Sequence, residues 1–429
     1  MRRLALACCL ALATAAQAQL SETEQRIVAA VKERSPAALD LLERSVRINS
    51  GTLNTEGVRE VGKLFRAELD GLGFATRWVE LPPEMKRGGH LVATRQGTQG
   101  KRLLLLGHID TVFEPSSKVI PWDRKGDRVR GQGVGDMKGG DVIMVEALRA
   151  LQKVGALDGT TIAVMMTGDE EASGSPVEVS RAPMVELAKA SDLALSFEGI
   201  TQRQGKLSAV VARRSSGGFV IDVKAKPGHS SRIFTQELGY GAIFEAARIL
   251  DAFRQKLIEP NLTFSAGVIL GGTDIKYDAS TAGGTAFGKT NVIPKEATIR
   301  GNIRYLTPEQ GAATRRKMEE IVATSLTGTS ATLTMRETYP PMAPTEANHR
   351  LLDAFSKASV DAGLGAIAAD DPASRGAGDV QFTAPYVPGL DGLGADGEGA
   401  HTDNEDLDIA SIERGAIRAA ILIYRLTRP

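Results

Sequence analysis

The chain has 429 residues, 42% of them hydrophobic, which exceeds one ordinary domain and supplies material for a large core and a second, smaller one. Lys plus Arg equal Asp plus Glu at 52 each, so no net field draws the protein to nucleic acid or anionic lipid, and partners of those kinds are not expected. Both cysteines, Cys8 and Cys9, sit at the extreme N-terminus, which excludes a disulfide framework for the body of the chain.

Taken in chain order, residues 1–18 read as an export signal. Arg2 and Arg3 give positive charge, 4–16 a short apolar stretch, and Ala16-Gln17-Ala18 a small-residue cleavage site. The mature chain is expected to begin near Gln19, in a periplasm or outside the cell. The apolar stretch is shorter than the ~20 residues that span a bilayer. A lipid anchor at Cys8 is disfavoured by the very short charged stretch before it and the better cleavage site after it.

A helical segment over 22–46 follows. Buried runs then alternate with amphipathic ones: 103–106, 138–154, 161–167, 183–189 and 193–197. That alternation predicts a mostly parallel, doubly wound α/β sheet. Near Ser215 the character changes, and 219–224 alternates as a strand with one buried face. A helix over 240–257, strands over 263–270 and 298–305, and a helix opened by the capping box Thr307-Pro308-Glu309-Gln310 come next. This order predicts a ferredoxin-like α+β insertion over 215–326, splitting an α/β catalytic domain into 19–214 and 327–429. A glycine-rich stretch over 376–399 leads to His401.

Three of the buried runs end in candidate ligands. The first delivers His108 and Asp110, the second Asp169, Glu170 and Glu171, the third Glu198, and in open α/β sheets the carboxyl edge of the strands is where ligands bind. Asp136 arrives on a glycine loop, 131–140, that can turn sharply at the same rim. The loop lacks the Gly-x-Gly-x-x-Gly order and the Lys-Ser/Thr ending of a phosphate cradle. Asp110, Asp136, Glu170, Glu171 and Glu198 crowded into one cleft would raise one another's pKa sharply, and two divalent cations resolve the conflict. Imidazole and carboxylate donors without sulfur suit zinc, with cobalt or manganese as tolerable substitutes. His90 and His349 have no such neighbours and read as ordinary histidines.

His-x-Asp at His108, Gly-x-x-Asp-Met-Lys-Gly-Gly at Asp136, the Glu170-Glu171 pair, Ser196-Phe197-Glu198 and Gly399-Ala400-His401-Thr402 follow one another along nearly the whole mature chain. The set resembles the co-catalytic zinc metallopeptidases, the family of glutamate carboxypeptidase, aminoacylase and succinyl-diaminopimelate desuccinylase, and most of all the glutamate carboxypeptidase pattern. The resemblance implies two Zn2+ per subunit: Asp136 bridges them, His108 and Glu198 complete one site, Glu171 and His401 the other. It makes Asp110 the acceptor of the outer N–H of His108 and Glu170 the general base, with a cis peptide at Asp136-Met137. In the insertion, a lid and dimerisation domain by this resemblance, His229 would reach from the partner subunit of a homodimer to stabilise the oxyanion. Asn291 and Arg304 would bind the terminal carboxylate of the substrate.

One motif departs from the family pattern. Where Gly-Gly-Thr-Asp is usual, this chain has Arg375-Gly376-Ala377-Gly378-Asp379. The methyl of Ala377 and the missing hydroxyl would reshape the substrate-carboxylate pocket that Gly378 would line. The implied activity is hydrolysis, by metal-activated water, of the amide bond to a C-terminal amino acid, glutamate above all, in a small peptide or N-acyl conjugate. An N-acyl amino acid deacylase or desuccinylase with the same site stays open. So does a binding protein without turnover, although Glu170 speaks against it, since a pure binder needs no base.

Overall fold

The structure, a computed structural model, describes residues 20–203 and 205–428, and the export signal expected over 1–18 lies outside them. Helix α1 (Glu22–Val46) starts where expected because Ser21 and Glu24 cap it reciprocally, Ser21 Oγ accepting from Glu24 N at 3.3 Å and Glu24 Oε2 from Ser21 N at 2.8 Å. After α2 (Thr55–Gly71) come β1 (Ala75–Val79), β2 (His90–Arg95) and β3 (Gln99–His108). Then follow α3 (Gly139–Lys153), β4 (Thr160–Thr167), α4 (Val177–Lys189) and β5 (Leu193–Ser196).

The inserted domain contributes β6 (Ser216–Ala225), α5 (Ala242–Lys256), β7 (Thr263–Gly272), β8 (Glu296–Arg304), α6 (Pro308–Ala323) and β9 (Thr329–Tyr339). The chain returns through α7 (Glu346–Asp361), β10 (Gly389–Leu390) and α8 (Ile409–Leu426).

The central sheet has the order β1-β2-β4-β3-β5-β10, with only β2 running against its neighbours. Leu103 to Leu106 of β3 are at most 1% exposed, as a strand covered on both faces must be. One face packs on α1, α3 and α8 through Leu42, Leu148 and Ile421, and the other on α4 through Met184. The insertion forms its own sheet, β7-β8-β6-β9, antiparallel throughout. Phe219, Ile221, Ile249, Phe253, Ile299 and Met318 fill a separate core against α5 and α6. This is the ferredoxin-like arrangement. Among the described residues no helix is long and apolar enough to cross a membrane.

Three expectations need correction. The boundary of the insertion at 326 is too early, because β9 pairs along all of β6, from Ala225↔Thr329 to Ser216↔Tyr339, and completes the sheet. As an edge strand rich in threonine it shows only a weak apolar face, Ala331, Leu333 and Met335. Helix α4 begins at Val177, not Pro183; its first turns bury Ser180 and Arg181, so no apolar period announces them. At α6, Thr307 Oγ1 does accept from Gln310 N at 3.2 Å, but Gln310 Oε1 takes the N–H of Leu306, one residue before the cap.

Candidate active site

Strand register brings the ligating side chains to one edge. His108 lies opposite Thr167 and Leu106 opposite Ser196, so the tips of β3, β4 and β5 end level, and the acidic residues that follow β4 and β5 start from the same rim as His108. The glycine loop supplies Asp136 from the side. Gly133 sits at φ +69°, a conformation that favours glycine. The Glu405 carboxylate accepts the N–H groups of Gly133, Gly135 and Asp136 at 3.0, 2.8 and 2.9 Å. Burial pushes Glu405 up to about 7, against those three hydrogen bonds. The Asp136–Met137 peptide is cis, as the resemblance implied. Lys138 is wholly buried, donates to the carbonyls of Ser45 and Ile48, and is brought down to about 8 by that burial.

The first turn of α3 presses on the strand tip that carries Glu198. A Cβ on Gly140 would lie 1.9 Å from the Phe197 carbonyl oxygen. Alanine in a helix normally gains about 1 kcal/mol over glycine. Here the clash outweighs that gain, so Gly140→Ala is expected to lower unfolding free energy and to loosen metal retention through Phe197 and Glu198. Chemical denaturation and elemental analysis read both effects, and a stabilised variant would refute the close-contact argument.

Two donor groups share Asp136: His108, Asp136 and Glu198 in one, Asp136, Glu171 and His401 in the other, with the donor atoms of each group all within 4.8 Å. His108 Nε2 lies 3.1 Å from Asp136 Oδ1 and 3.5 Å from Glu198 Oε1. His401 Nε2 lies 3.1 Å from both Asp136 Oδ2 and Glu171 Oε2. Donors about 2.0–2.1 Å from a tetrahedral zinc are about 3.3 Å apart, so both groups fit an ion. Glu171 Oε1 is buried without a hydrogen-bond partner, as suits an oxygen reserved for a cation.

The electrostatics are more uneven than mutual repulsion alone predicts. Burial opposes charge on His108, yet its hydrogen bonds to Asp110, Asp136 and Glu198 hold its pKa well above the ordinary value. Hydrogen bonding to the Asp136 and Glu171 carboxylates, which accept from its ring N–H, pushes His401 up to about 11. Asp136, between the two imidazoles, is held low in spite of burial. The unresolved negative charge falls on Glu170 and Glu171, both raised first by burial.

Asp110 does more than orient an imidazole. His108 Nδ1–H donates to the Asp110 backbone carbonyl at 3.1 Å, with the carboxylate farther off at 3.5 Å. The carboxylate accepts from the N–H of Glu170 at 3.0 Å, the N–H of Glu171 at 3.1 Å and Thr52 Oγ1 at 2.6 Å. It therefore sets the backbone of both glutamates, a role sequence reasoning missed. Asp169, one of the acids ending β4, turns away from the cluster into a buried ion pair with Arg181, which also binds Asp379. His90 is buried and satisfied between Ser180 O and Gly168 N.

A cavity of about 250 Å³ opens at the cluster, lined by Asp136, Glu170, Glu171, Glu198 and His401 with Arg213, Arg375 and Ala377. Arg375 opens the motif that departs from the family pattern, whereas Arg213 carries no sequence signal that marks it. Within one chain His229, Asn291 and Arg304 do not line this cavity. His229 is exposed on the insertion, its Nδ1 facing Ser231, and Asn291 lies beside it, its carbonyl accepting from Ser230 N. Arg304 ends β8, half-buried. Gly378, expected to line the pocket, instead gives its N–H to Gln381 Oε1 at 2.7 Å and packs on the Arg213 guanidinium; the wall belongs to residues 374–377.

The family model described as peptidase family M20/M25/M40 matches residues 104–425. Carboxypeptidase G2 of Pseudomonas sp. (strain RS-16) is 28% identical over 430 residues, covering 99% of this chain and 98% of that protein. The structure of aminopeptidase PepT from Bacillus cereus ATCC 10987 matches with a TM-score of 0.70 at 19% identity, over 92% of this chain and 99% of that one. The YXEP protein of Bacillus subtilis, described as a dinuclear metal-binding peptidase from the M20 family, matches with a TM-score of 0.60 at 18% identity, over 92% and 99%. These two structures share the fold.

Proposed function

The chain belongs to peptidase family M20/M25/M40, a family of metal-dependent hydrolases, and from that premise we propose that it releases a C-terminal amino acid, glutamate-type, from a small peptide or N-acyl conjugate. The observation that carries the reading is the pair of donor groups sharing Asp136 with Glu170 beside them and in neither. Similarity to carboxypeptidase G2 along the length of both chains supports the carboxypeptidase side.

His108, Asp136 and Glu198 would hold one zinc ion and Asp136, Glu171 and His401 the other, cobalt or manganese serving in their place. Such ions, when bound, supply Lewis acidity to a carbonyl and lower the pKa of a water towards about 7. Glu170 faces the same cavity, takes a proton from the attacking water and hands it to the leaving nitrogen. Asp110 fixes the backbone from which Glu170 and Glu171 project. A panel of N-aroyl glutamates, dipeptides and N-acetyl amino acids tests the assignment, with glutamate release from the first two expected. Cleavage of N-acetyl amino acids alone would make the enzyme a deacylase.

Their carboxylate neighbours raise the pKa of both histidines in the ion-free protein, yet each must be neutral to ligate. Loading is therefore expected to release protons, with apparent affinity rising as pH rises. Calorimetry in buffers of different protonation enthalpy measures this; heats independent of the buffer would show that ion binding displaces no proton and overturn the expectation.

The exposed position of His229, away from its own cavity, supports its supply from a second subunit of a homodimer built through the inserted domain. Mixing Glu170→Gln protomers with His229→Ala protomers is expected to restore part of the activity. No recovery on mixing would place His229 in its own subunit's site or outside catalysis. The leader-like residues 1–18 support export to the periplasm or beyond.

A further inference from the structure

We propose that the cavity where α1, α3 and α8 meet binds a small organic cation with an apolar body, its ammonium group on Glu413 and its alkyl body between α1 and α8. The cavity measures about 470 Å³, within the range of small-molecule sites, and shares no lining residue with the one at the metal-ligand cluster. Its occupancy is independent of the amide-hydrolase reading above.

The gap has a cause in the sequence. Elsewhere the three helices meet through large side chains, Leu42, Leu148 and Ile421 among them. Here Ala38 and Ala416, 4% and 1% exposed, are too small to fill the space, and Val31 and Ile412 wall it. Pro36 lies inside α1 between the lining residues Ser35 and Ala38, and it lacks the N–H that would bond the Lys32 carbonyl, so the helix ladder is broken on this stretch.

The charges around the gap are uneven. Glu146 is buried and committed, accepting from the Arg34 guanidinium at 2.8 and 3.1 Å. Arg124 and Asp127, of opposite sign, stand exposed on the hairpin over 123–130 that forms one wall. Glu413 is half-buried, takes the Ser35 hydroxyl on one oxygen, and pairs with no cation among the described residues. A carboxylate offers about four acceptor positions, so the second oxygen is open to a donor. Beside an apolar gap and short of a counter-charge, it matches an ammonium whose alkyl chain enters the gap. An anionic or wholly apolar ligand would leave Glu413 without a partner. The competing account is a packing gap filled by water, with Glu413 merely solvated.

Calorimetry on the zinc-loaded protein separates the two, with methylammonium, butylammonium, hexylammonium and hexanol as probes; zinc occupies the carboxylates of the donor cluster and removes them as a rival site. Affinity is expected to rise about 2- to 4-fold with each added methylene, as burial of alkyl surface requires. Hexylammonium is expected to bind about 10-fold more tightly than hexanol, the lower end for a hydrogen bond to a charged group because Glu413 is only half-buried. Glu413→Gln, which keeps an oxygen for Ser35, is expected to bring hexylammonium down to the level of hexanol. Ala410→Phe, at a solvent-exposed position of the lining, is expected to block every probe, with zinc content unchanged in both variants.

Affinity indifferent to chain length, equal binding of hexylammonium and hexanol by the native protein, or binding that survives both substitutions overturns the proposal. So does a change of oligomeric state in Ala410→Phe, read by sedimentation, since the occupant would then be a second copy of this chain.

Discussion

Glu170→Gln is expected to lower kcat by about 10²- to 10⁴-fold, the usual worth of a positioned acid–base group, while the metal content of the purified protein stays unchanged. The substitution keeps the shape of the side chain and the bonds that place it: the N–H of Glu170 on Asp110 at 3.0 Å and its carbonyl accepting from the Tyr339 hydroxyl at 3.3 Å. Only proton transfer is lost. Burial, opposed by His108 and reinforced by Asp379, Glu198 and Glu171, lifts the Glu170 pKa well above its ordinary value in the ion-free protein.

That shift has a signed consequence. The folded state binds this proton more tightly than the unfolded chain, so the group costs the ion-free protein stability as pH rises from about 4.3, a cost glutamine does not carry. After chelation, therefore, Glu170→Gln should melt no lower than the native protein at neutral pH. Full turnover with metal bound, or loss of metal from the variant, would remove Glu170 from the role of base.

The largest effect on stability is expected at a residue that touches neither donor group. Arg181 is 1% exposed and joins Asp169 to Asp379 beneath the site, with Nη–Oδ1 and Nε–Oδ1 distances of 2.5 and 2.6 Å. Thr167 Oγ1 adds a bond to Asp379, and Ser180 Oγ one to Asp169. A buried ion pair need not stabilise much in itself, but removing one partner strands the other. Arg181→Met leaves two carboxylates, 0% and 7% exposed, without a cation. Breaking such a pair costs about 3–5 kcal/mol, and each kcal/mol lowers Tm by roughly 2–4 °C in a domain of this size. Calorimetry should show the drop, and Asp169→Asn with Asp379→Asn in the same chain should recover part of it. A change within 2 °C of the native Tm would mean the network is solvated, contrary to its burial.

Loss of Arg181 should also blunt activity. Asp169 precedes Glu170 directly, and Asp379 follows two residues after the 374–377 stretch that forms the cavity wall, so relaxation of either reaches the site.

What the sequence determined by itself was local in origin. Buried runs ending in His108, Glu171 and Glu198, a glycine loop delivering Asp136 and a second one delivering His401 are patterns within a few residues, and they name the donors that the structure brings together. The two-domain plan was legible for the same reason, since a period of two or 3.6 residues reports which face of an element is buried. The tertiary structure decided which neighbours support those donors. Asp169 stands beside Glu170 with the same chemistry, yet Arg181 on the following helix turns it out of the cluster. Glu405 braces the Asp136 loop from across the chain, β9 completes a sheet begun at Ser216, and Asp391 pairs with Arg213 at the cavity. A side chain's direction and the counter-charge it meets depend on elements far off along the chain, and no local period records them.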